Sequence, residues 1–257
     1  MIKLKSPQDI EIMAEGGRLL AKILESLGKE VKVGIKTSYL DNRARILIGE
    51  VGAEAAFLGY RPGGAGKPYP AAVCVSVNEV VVHGLPSNYR IKDGDLVKID
   101  LGIKFQGFFL DSAITIGVGH ISSKSAKLIK ITSQALDRAI NEAKIGKTLG
   151  DIGWVVEDIA KRNDFSVVKV LTGHGIGRQL HEDPNVYNFG RRGEGMSIKE
   201  GMVLAIEPMI ASSPQGGDVV QAKDDSFVTS DKSLSAHFEH TVAITKNGPR
   251  VLTKSSR

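Results

Sequence analysis

Cysteine is almost absent from this chain, which has only Cys74 among its 257 residues. A single cysteine excludes an intrachain disulfide. Long apolar runs are also missing, and none approaches the roughly 20 residues that a membrane-spanning helix needs. The first residues, Met1 to Pro7, lack the apolar core of a signal peptide. These absences predict a cytoplasmic protein that is not anchored in a membrane.

The composition is that of an ordinary globular protein, with 42% hydrophobic and 25% charged residues, and we expect residues 1–257 to form a single domain. The 34 lysines and arginines exceed the 29 acidic residues, and the resulting charge of +5 permits transient contact with RNA or the ribosome. Many of these basic residues lie on predicted solvated helix faces, so we expect no specific nucleic-acid site. We also expect a monomer.

The order of secondary structure occurs twice along the chain. Ser6 opens a predicted helix and a second begins near Thr37, while Ser122 and Thr148 open a corresponding pair later. Strand-like segments follow each pair, at residues 72–116 and 167–245. This αα-β order predicts an α+β fold with pseudo-two-fold halves, roughly residues 6–117 and 122–245, around one mixed, mostly antiparallel sheet.

Two aspartates lie in neighbouring strand-like segments that share a tight turn at residues 106–107. In residues 97–105 the apolar side chains occupy odd positions and Asp100 points the other way. In residues 108–116 most bulky aliphatic side chains occupy even positions and Asp111 points the other way. Paired in a hairpin, the two aspartates share a face, where a cation would relieve their repulsion. The simpler alternative is that each one caps a turn or faces solvent.

Further polar residues lie in the second half of the chain. Glycines flank His174, and His181 follows seven residues later, although a lone histidine is more often a satisfied polar residue than a ligand. Glu207 and Glu239 each border an apolar, strand-like segment, which puts them either on a solvated face or beside a cation. Four carboxylates and one imidazole balance two divalent cations and leave positions open for water, which predicts a metal-dependent hydrolase.

Two other features are weaker. Cys74 lies in the alternating segment of residues 71–77, which favours a core or pocket-wall residue over a nucleophile. Residues 63–67 are similar to a phosphate-binding loop, but Arg61 replaces its first glycine and Pro68 replaces the residue that holds magnesium. We therefore predict a loop there and no nucleotide site.

Seven short motifs follow one another in order between about Ser6 and Thr245. They are Val77–Pro86, Ile99–Gly102, Leu110–Ser112, Thr172–Gly177, His181–Pro184, Ile206–Met209 and Phe238–Thr241. Together these motifs resemble those of the methionine aminopeptidases, a family of metallopeptidases with a pita-bread fold. The resemblance is to the type I, bacterial-like enzymes, because only 32 positions separate Glu207 from Glu239 and the long insertion of type II enzymes has no room there.

What the resemblance implies is a metallo-aminopeptidase, with residues 1–257 as one catalytic domain. Its substrates would be nascent polypeptides with a small second residue, from which it removes the initiator methionine through a dimetal-activated hydroxide. Asp100 would bind one ion, His174 and Glu207 the other, and Asp111 and Glu239 both. These ligand types suit cobalt, manganese, iron and zinc alike.

The resemblance also assigns roles in catalysis and substrate binding. Glu207 would act as general base as well as ligand, His181 would hydrogen-bond the scissile carbonyl oxygen, and His83 would contact the peptide nitrogen on the leaving side. The residues that match the methionine pocket, and would bind substrate with the two histidines, are Tyr69, Cys74 and Phe227.

Two alternatives compete with this interpretation. Xaa-Pro peptidases share the fold and the five-ligand pattern, but they usually carry an additional N-terminal domain, whereas the first predicted helix here begins near Ser6. A scaffold or RNA-associated homologue would keep the fold and the basic charge without the ligands. All five ligands and both substrate-binding histidines are present, which favours the metallo-aminopeptidase.

Overall fold

A computed structural model gives the fold and describes residues 2–61, 67–214 and 217–255. Most of the predicted loop at residues 63–67 lies outside the described residues. The helices are α1 (Pro7–Glu30), α2 (Thr37–Glu50), α3 (Ser123–Glu142) and α4 (Leu149–Lys161). The strands are β1 (Glu54–Ala55), β2 (Cys74–Val77), β3 (Val80–Val82), β4 (Leu96–Phe105), β5 (Phe108–Gly117), β6 (Ser166–Val167), β7 (Thr172–Gly175), β8 (Glu182–Tyr187), β9 (Val203–Ile206), β10 (Met209–Ala211), β11 (Val219–Gln221), β12 (Phe227–Thr229), β13 (Ser235–His237), β14 (Glu239–Thr245) and β15 (Gly248–Val251).

Helices α1, α3 and α4 begin where the sequence predicts, because side chains at their starts satisfy free backbone N–H groups. The Ser6 hydroxyl accepts from the backbone of Asp9, and the Asp9 carboxylate accepts from the backbone of Ser6. The Ser122 hydroxyl accepts from the backbone of the third residue of α3. At α4, Asp151 accepts from both the backbone and the hydroxyl of Thr148.

The two helix pairs open in the same way. Gly34 and Gly146 adopt φ values of +90° and +89°, just ahead of α2 and α4, a region that favours glycine. Two residues further on, Lys36 and Thr148 each form an isolated antiparallel bridge to a later segment. Each bridged residue then caps its helix. This matching geometry supports the pseudo-two-fold relation between the halves.

One large sheet joins the two halves. Its strands lie in the order β1-β4-β5-β14-β9-β7-β8, with β2 pairing on β4 and β15 on β14. The described residues also form two three-stranded sheets, β13-β10-β6 and β11-β12-β3. Strand β14 pairs antiparallel with β5 of the first half and with β9 of the second. The seam between the halves therefore runs along β14.

The hairpin of β4 and β5 forms as the sequence predicts. Gln106 and Gly107 connect the two strands with φ values of +46° and +81°, as two-residue hairpin turns require. The ladder begins at the turn with Phe105 opposite Phe108 and continues antiparallel to the far ends of both strands. Odd positions of β4 therefore lie opposite even positions of β5, which fixes the side chains that share a face.

Apolar side chains pack helices onto the sheet in each half. One cluster contains residues of α1, α2, β4 and β5, and a second contains residues of α3, α4, β9 and β14. The backbone of α1 comes very close to the chain after β15, because a Cβ at Gly17 would lie 2.3 Å from the Leu252 carbonyl oxygen. None of the described helices is long and apolar enough to cross a membrane.

Candidate metal centre

The register of β4 and β5 puts Asp100 and Asp111 on one face of the sheet. Asp100 lies opposite Ala113, and Asp111 lies opposite Gly102. The two carboxylates are thus diagonal neighbours, as the alternation of the sequence predicts. Ala113 and Gly102 carry little or no side chain, which leaves space beside the carboxylates.

Strand β14 adds a third carboxylate to this face. Glu239 lies opposite Ala113, on the other side from Asp100, so these three residues form one row across three strands. Two residues along, the Thr241 hydroxyl donates to Asp111 O over 2.8 Å and accepts from Asp111 N–H over 3.0 Å. These bonds fasten β5 to β14 directly beside the carboxylates.

The second half of the chain supplies His174 and Glu207. His174 in β7 lies opposite Ala205, which in turn lies opposite Thr241. This row of residues adjoins the row that contains Glu239. Glu207 directly follows the last residue of β9, and the register of β9 with β14 continues it toward Glu239. The two halves therefore contribute two and three of the predicted ligands.

The predicted ligand atoms lie within a few ångström of one another. One ligand atom each of Asp111, His174 and Glu239 falls within 4.8 Å of the others. His174 Nε2 lies 3.7 Å from Glu207 Oε1, and the Asp100 carboxyl adjoins that of Asp111. The structure thus brings all five predicted ligands together.

Burial and mutual repulsion disfavour the charged forms of these carboxyl groups. Burial raises the pKa of Asp100 and that of Glu207 to about 7. Burial, followed by the charges of the neighbouring carboxylates, raises the pKa of Asp111 and of Glu239 well above the usual range. Burial also lowers the pKa of the His174 imidazole. A neutral imidazole can coordinate a metal ion, and a bound cation would restore the carboxylates to their charged forms.

Two buried carboxylate oxygens have an unfilled bonding requirement. Asp100 Oδ1 and Glu239 Oε1 have no hydrogen-bond partner among the described residues, although a buried polar atom without a partner is costly. Carboxylate oxygens with an imidazole nitrogen nearby suit divalent cobalt, manganese, iron or zinc. The residues present therefore fit a metal centre.

The two histidines predicted to bind substrate border this cluster. The ring centre of His181 is 4.2 Å from that of His174. His83 follows β3 with a φ of +60°, and its ring packs edge-on against Phe227 with centres 5.7 Å apart. Burial lowers the pKa of His181 to about 3 and that of His83 to about 4. Both rings are therefore neutral at pH 7, with one N–H donor each.

The predicted methionine-pocket residues lie in the same region. Cys74 is buried and lies opposite Asp100 in the pairing of β2 with β4. Burial raises the pKa of its thiol well above the usual range, so Cys74 is no thiolate nucleophile. The Tyr69 hydroxyl, which adjoins this thiol, donates to Gly84 O over 3.1 Å. Phe227 packs against the His83 ring, and His83 directly precedes Gly84.

His237 is a residue beside the cluster that the sequence analysis missed. It is the last residue of β13 and is 1% exposed. Its Nε2 lies 3.2 Å from Glu207 Oε2, yet neither ring nitrogen makes a hydrogen bond within the described part of the chain. The spacing of two between His237 and Glu239 is the signal that could have found it, because alternate residues of an extended chain share a face.

Tyr60 and Lys98 are two further neighbours that the sequence analysis missed. Tyr60 Oη lies 2.5 Å from His181 Nδ1, a contact between distant parts of the chain that no local pattern indicates. Lys98 is 1% exposed and donates to Ser235 O and Oγ over 3.0 and 3.1 Å. Burial lowers the pKa of Lys98 to about 7. Its spacing of two from Asp100 is again the available signal.

Known proteins share both the sequence and the shape of this chain. The family described as metallopeptidase family M24 matches residues 11–246. A methionine aminopeptidase of Clostridium perfringens (strain 13 / Type A) is 44% identical over 255 residues, which cover 98% of this chain and 99% of that relative. The fold also matches the crystal structure of methionine aminopeptidase from Thermotoga maritima with a TM-score of 0.93. The two sequences are 38% identical, and the match covers 99% of this chain and 100% of that chain. These similarities confirm the predicted α+β pita-bread fold.

A prolidase from Pyrococcus horikoshii OT3 shares the fold less closely. It is 26% identical with a TM-score of 0.77, and the match covers 99% of this chain but 64% of the prolidase chain. About a third of that longer protein therefore has no counterpart in the match. The matches to the methionine aminopeptidases, by contrast, cover nearly the full length of both chains.

Proposed function

This chain belongs to metallopeptidase family M24 and, within it, to the methionine aminopeptidases, and we propose that it uses two divalent metal ions to remove the initiator methionine from new polypeptides. The activity of a metallo-aminopeptidase is the one that the sequence motifs predict. In this proposal Asp100 would hold one ion, His174 and Glu207 would hold the other, and Asp111 and Glu239 would contribute to both.

The observation that carries this proposal is the row of carboxylates on one sheet face. Asp100 and Glu239 flank Ala113, and Asp111 lies two residues from Ala113 on the same strand. With Glu207 beside them, four carboxylates would balance the charge of two divalent ions. The unpartnered oxygens of Asp100 and Glu239 support a cation near each end of the row.

Two divalent ions held by these residues would supply Lewis-acid chemistry, which makes a water molecule easier to deprotonate and a carbonyl group easier to attack. Glu207 accepts a proton from the attacking water, a role that its raised pKa of about 7 supports. His181 donates a hydrogen bond to the scissile carbonyl oxygen as negative charge develops there. His83 contacts the peptide nitrogen that leaves. The methionine side chain is enclosed by Tyr69, Cys74 and Phe227.

We also propose that the enzyme acts as a monomer on nascent polypeptide N-termini in the cytoplasm. The buried free thiol of Cys74 supports a reducing compartment. Residues 1–257 act as one catalytic domain in this proposal, since the seam along β14 needs strands of both halves. Transient contact with the ribosome, which a charge of +5 permits, stays a prediction.

Chelation tests the metal requirement and the substrate together. Stripping the metal is expected to abolish cleavage of the peptide Met-Ala-Ser, and adding back cobalt, manganese, iron or zinc singly is expected to restore it. Met-Ala-Ser should react far faster than Leu-Ala-Ser, and an Xaa-Pro peptide should not react. Comparable rates for the first two peptides would refute the pocket assignment, and a preference for Xaa-Pro would favour the prolidase-like alternative.

The variant Asp111→Asn tests the use of two ions. It keeps the shape of the side chain but removes a charge that both ions share, so kcat should fall by at least ~100-fold and one equivalent of bound metal should be lost. Asp137→Asn, which makes the same change on the exposed face of α3, is the control. Full activity in the Asp111 variant would contradict a bridging role.

A further inference from the structure

Backbone hydrogen bonds hold Tyr60 and Tyr69 next to each other. Gly59 N–H donates to Tyr69 O over 2.8 Å, and Tyr69 N–H donates to Tyr60 O over 2.9 Å. These two backbone bonds join the ends of the segment 61–68. The Tyr69 hydroxyl donates to Gly84 O, next to His83, whereas the Tyr60 hydroxyl contacts His181.

The Tyr60 side chain fixes the His181 ring by two contacts. Its Oη lies 2.5 Å from His181 Nδ1, and the two rings pack with centres 5.2 Å apart at an angle of 37°. A second neighbour of the His181 ring is His174, whose ring centre is 4.2 Å away. The imidazole therefore contacts both a tyrosine and a predicted metal ligand.

The chemistry of the two groups decides which atom carries the proton. A neutral imidazole has one N–H donor and one bare nitrogen, which accepts hydrogen bonds well, while a phenol is a good donor. Among the described residues, His181 Nδ1 is the hydrogen-bond partner of Tyr60 Oη. A phenol that accepted from Nδ1–H would have to turn its own proton toward solvent, because no other described acceptor bonds to Tyr60 Oη. Donation from Tyr60 to a bare Nδ1 satisfies both groups.

We propose that Tyr60 is a positioning residue that holds His181 in the tautomer with its proton on Nε2. In that tautomer the free edge of the ring presents a donor, and His181 can stabilise the developing charge on the scissile carbonyl oxygen. In the other tautomer Nε2 would present a lone pair and repel the same oxygen. The inference rests on the proposed function, because it explains how His181 becomes a donor in that reaction.

The variant Tyr60→Phe removes the hydroxyl and keeps the ring that packs on His181. For Met-Ala-Ser we expect kcat to fall by about 10-fold to 100-fold, less than the loss of an oxyanion donor outright, while KM changes by less than about twofold. Metal-binding isotherms should match those of the wild-type protein. The control is Tyr187→Phe, which makes the same change on β8 at a side chain that is 45% exposed and should leave kcat unchanged.

Nuclear magnetic resonance of zinc-loaded protein with 15N-labelled histidine reads the tautomer directly. His181 should carry its proton on Nε2 in the wild type and in the Tyr187 variant, and a mixture of tautomers should appear in Tyr60→Phe. A wild-type ring with its proton on Nδ1, an unchanged kcat in Tyr60→Phe, or altered metal isotherms in that variant would each overturn the proposal. A wild-type enzyme that fails to cleave Met-Ala-Ser would instead refute the proposed function, and the spectrum would still test the tautomer.

Discussion

Replacing Asp100 with asparagine is expected to stabilise the metal-free protein at pH 8, although it removes a predicted metal ligand. The pKa of Asp100 is raised from 3.8 to about 7, mainly by burial. At pH 8 without metal, the folded state must therefore hold a charge that its surroundings disfavour. Asparagine has a similar shape and no charge, so both the cost of burying a charge and the repulsion with Glu207 are lost.

The size of this effect follows from the displacement of the Asp100 pKa. The folded value lies about three pH units above the ordinary one, and each pH unit corresponds to about 1.4 kcal/mol, so the ionised group destabilises the folded state by about 4 kcal/mol. The asparagine amide must find partners in the same place, and we expect a net gain of about 2–4 kcal/mol. In a chain of this size such a gain raises Tm by about 4–16 °C.

The pH dependence has a definite sign. A carboxyl group whose folded pKa is raised binds more protons in the folded state, so its favourable contribution is complete below pH 4 and is lost as the pH rises through 7. The free energy of unfolding of metal-free wild type should therefore decline between pH 4 and pH 7. The free energy of unfolding of the Asp100 variant should decline less over the same range.

Thermal unfolding in a chelator at several pH values measures both effects. Asp137→Asn, on the exposed face of α3, is expected to behave as the wild type. Adding cobalt or manganese should raise the Tm of the wild type more than that of the Asp100 variant, because the variant has lost a ligand. An Asp100 variant that is no more stable than the wild type at pH 8 in chelator would refute the electrostatic reasoning.

Three other substitutions, two of them with a matched comparison variant, test the metal site and the packing of the fold. His237→Gln should weaken metal binding by roughly 10-fold to 100-fold, measured by calorimetric titration, because the ring borders a predicted ligand; unchanged affinity would contradict this. Lys5→Met breaks an ion pair whose side chains are 5% and 4% exposed, and chemical denaturation should show a loss of about 3–5 kcal/mol. Lys29→Met, on the surface, should have no measurable effect. Gly17→Ala should destabilise the protein because its Cβ would lie 2.3 Å from a carbonyl oxygen, whereas Gly49→Ala, with nothing near its Cβ among the described residues, should stabilise it by about 0.5–1 kcal/mol; equal effects would refute the packing argument.

The first half of the site could be predicted from the sequence because its geometry is local. Asp100 and Asp111 lie in two strands joined by a two-residue turn, so alternation alone fixes the face of each side chain. The helix starts were equally accessible, since Ser6 and Ser122 cap helices through residues three positions away. In each case the partners are close in sequence, and few arrangements compete.

The second half of the site could be predicted only through the family resemblance, because its contacts join distant parts of the chain. His174 and Glu207 were weak signals until the order of the motifs connected them. Tyr60 escaped notice because its partner is 121 positions away. His237 escaped because its importance comes from a neighbour in another strand, Glu207. Periodicity predicts which face of its own strand a residue occupies, but it does not predict which other strand or loop packs against that face.

Basic side chains usually lie on solvated faces, and the sequence gives no sign that Lys5 and Lys98 differ. Lys98, however, is buried and donates to oxygens of Asn78 and Ser235, and Lys5 is buried against Glu182. No composition rule separates these two from the exposed lysines, because the difference lies in the oxygen acceptors that the folded chain supplies.

The central strand of the sheet is also among the last to be synthesised. Strand β14 follows β5 by more than a hundred residues, yet it must enter between β5 and β9 to complete the sheet. Pairings between such distant segments form slowly, since a long loop has to close first. The carboxylate of Glu239 arrives with that strand. A growing chain therefore cannot assemble the whole centre until translation has passed β14. Binding of the full complement of metal thus indicates that the two halves have joined.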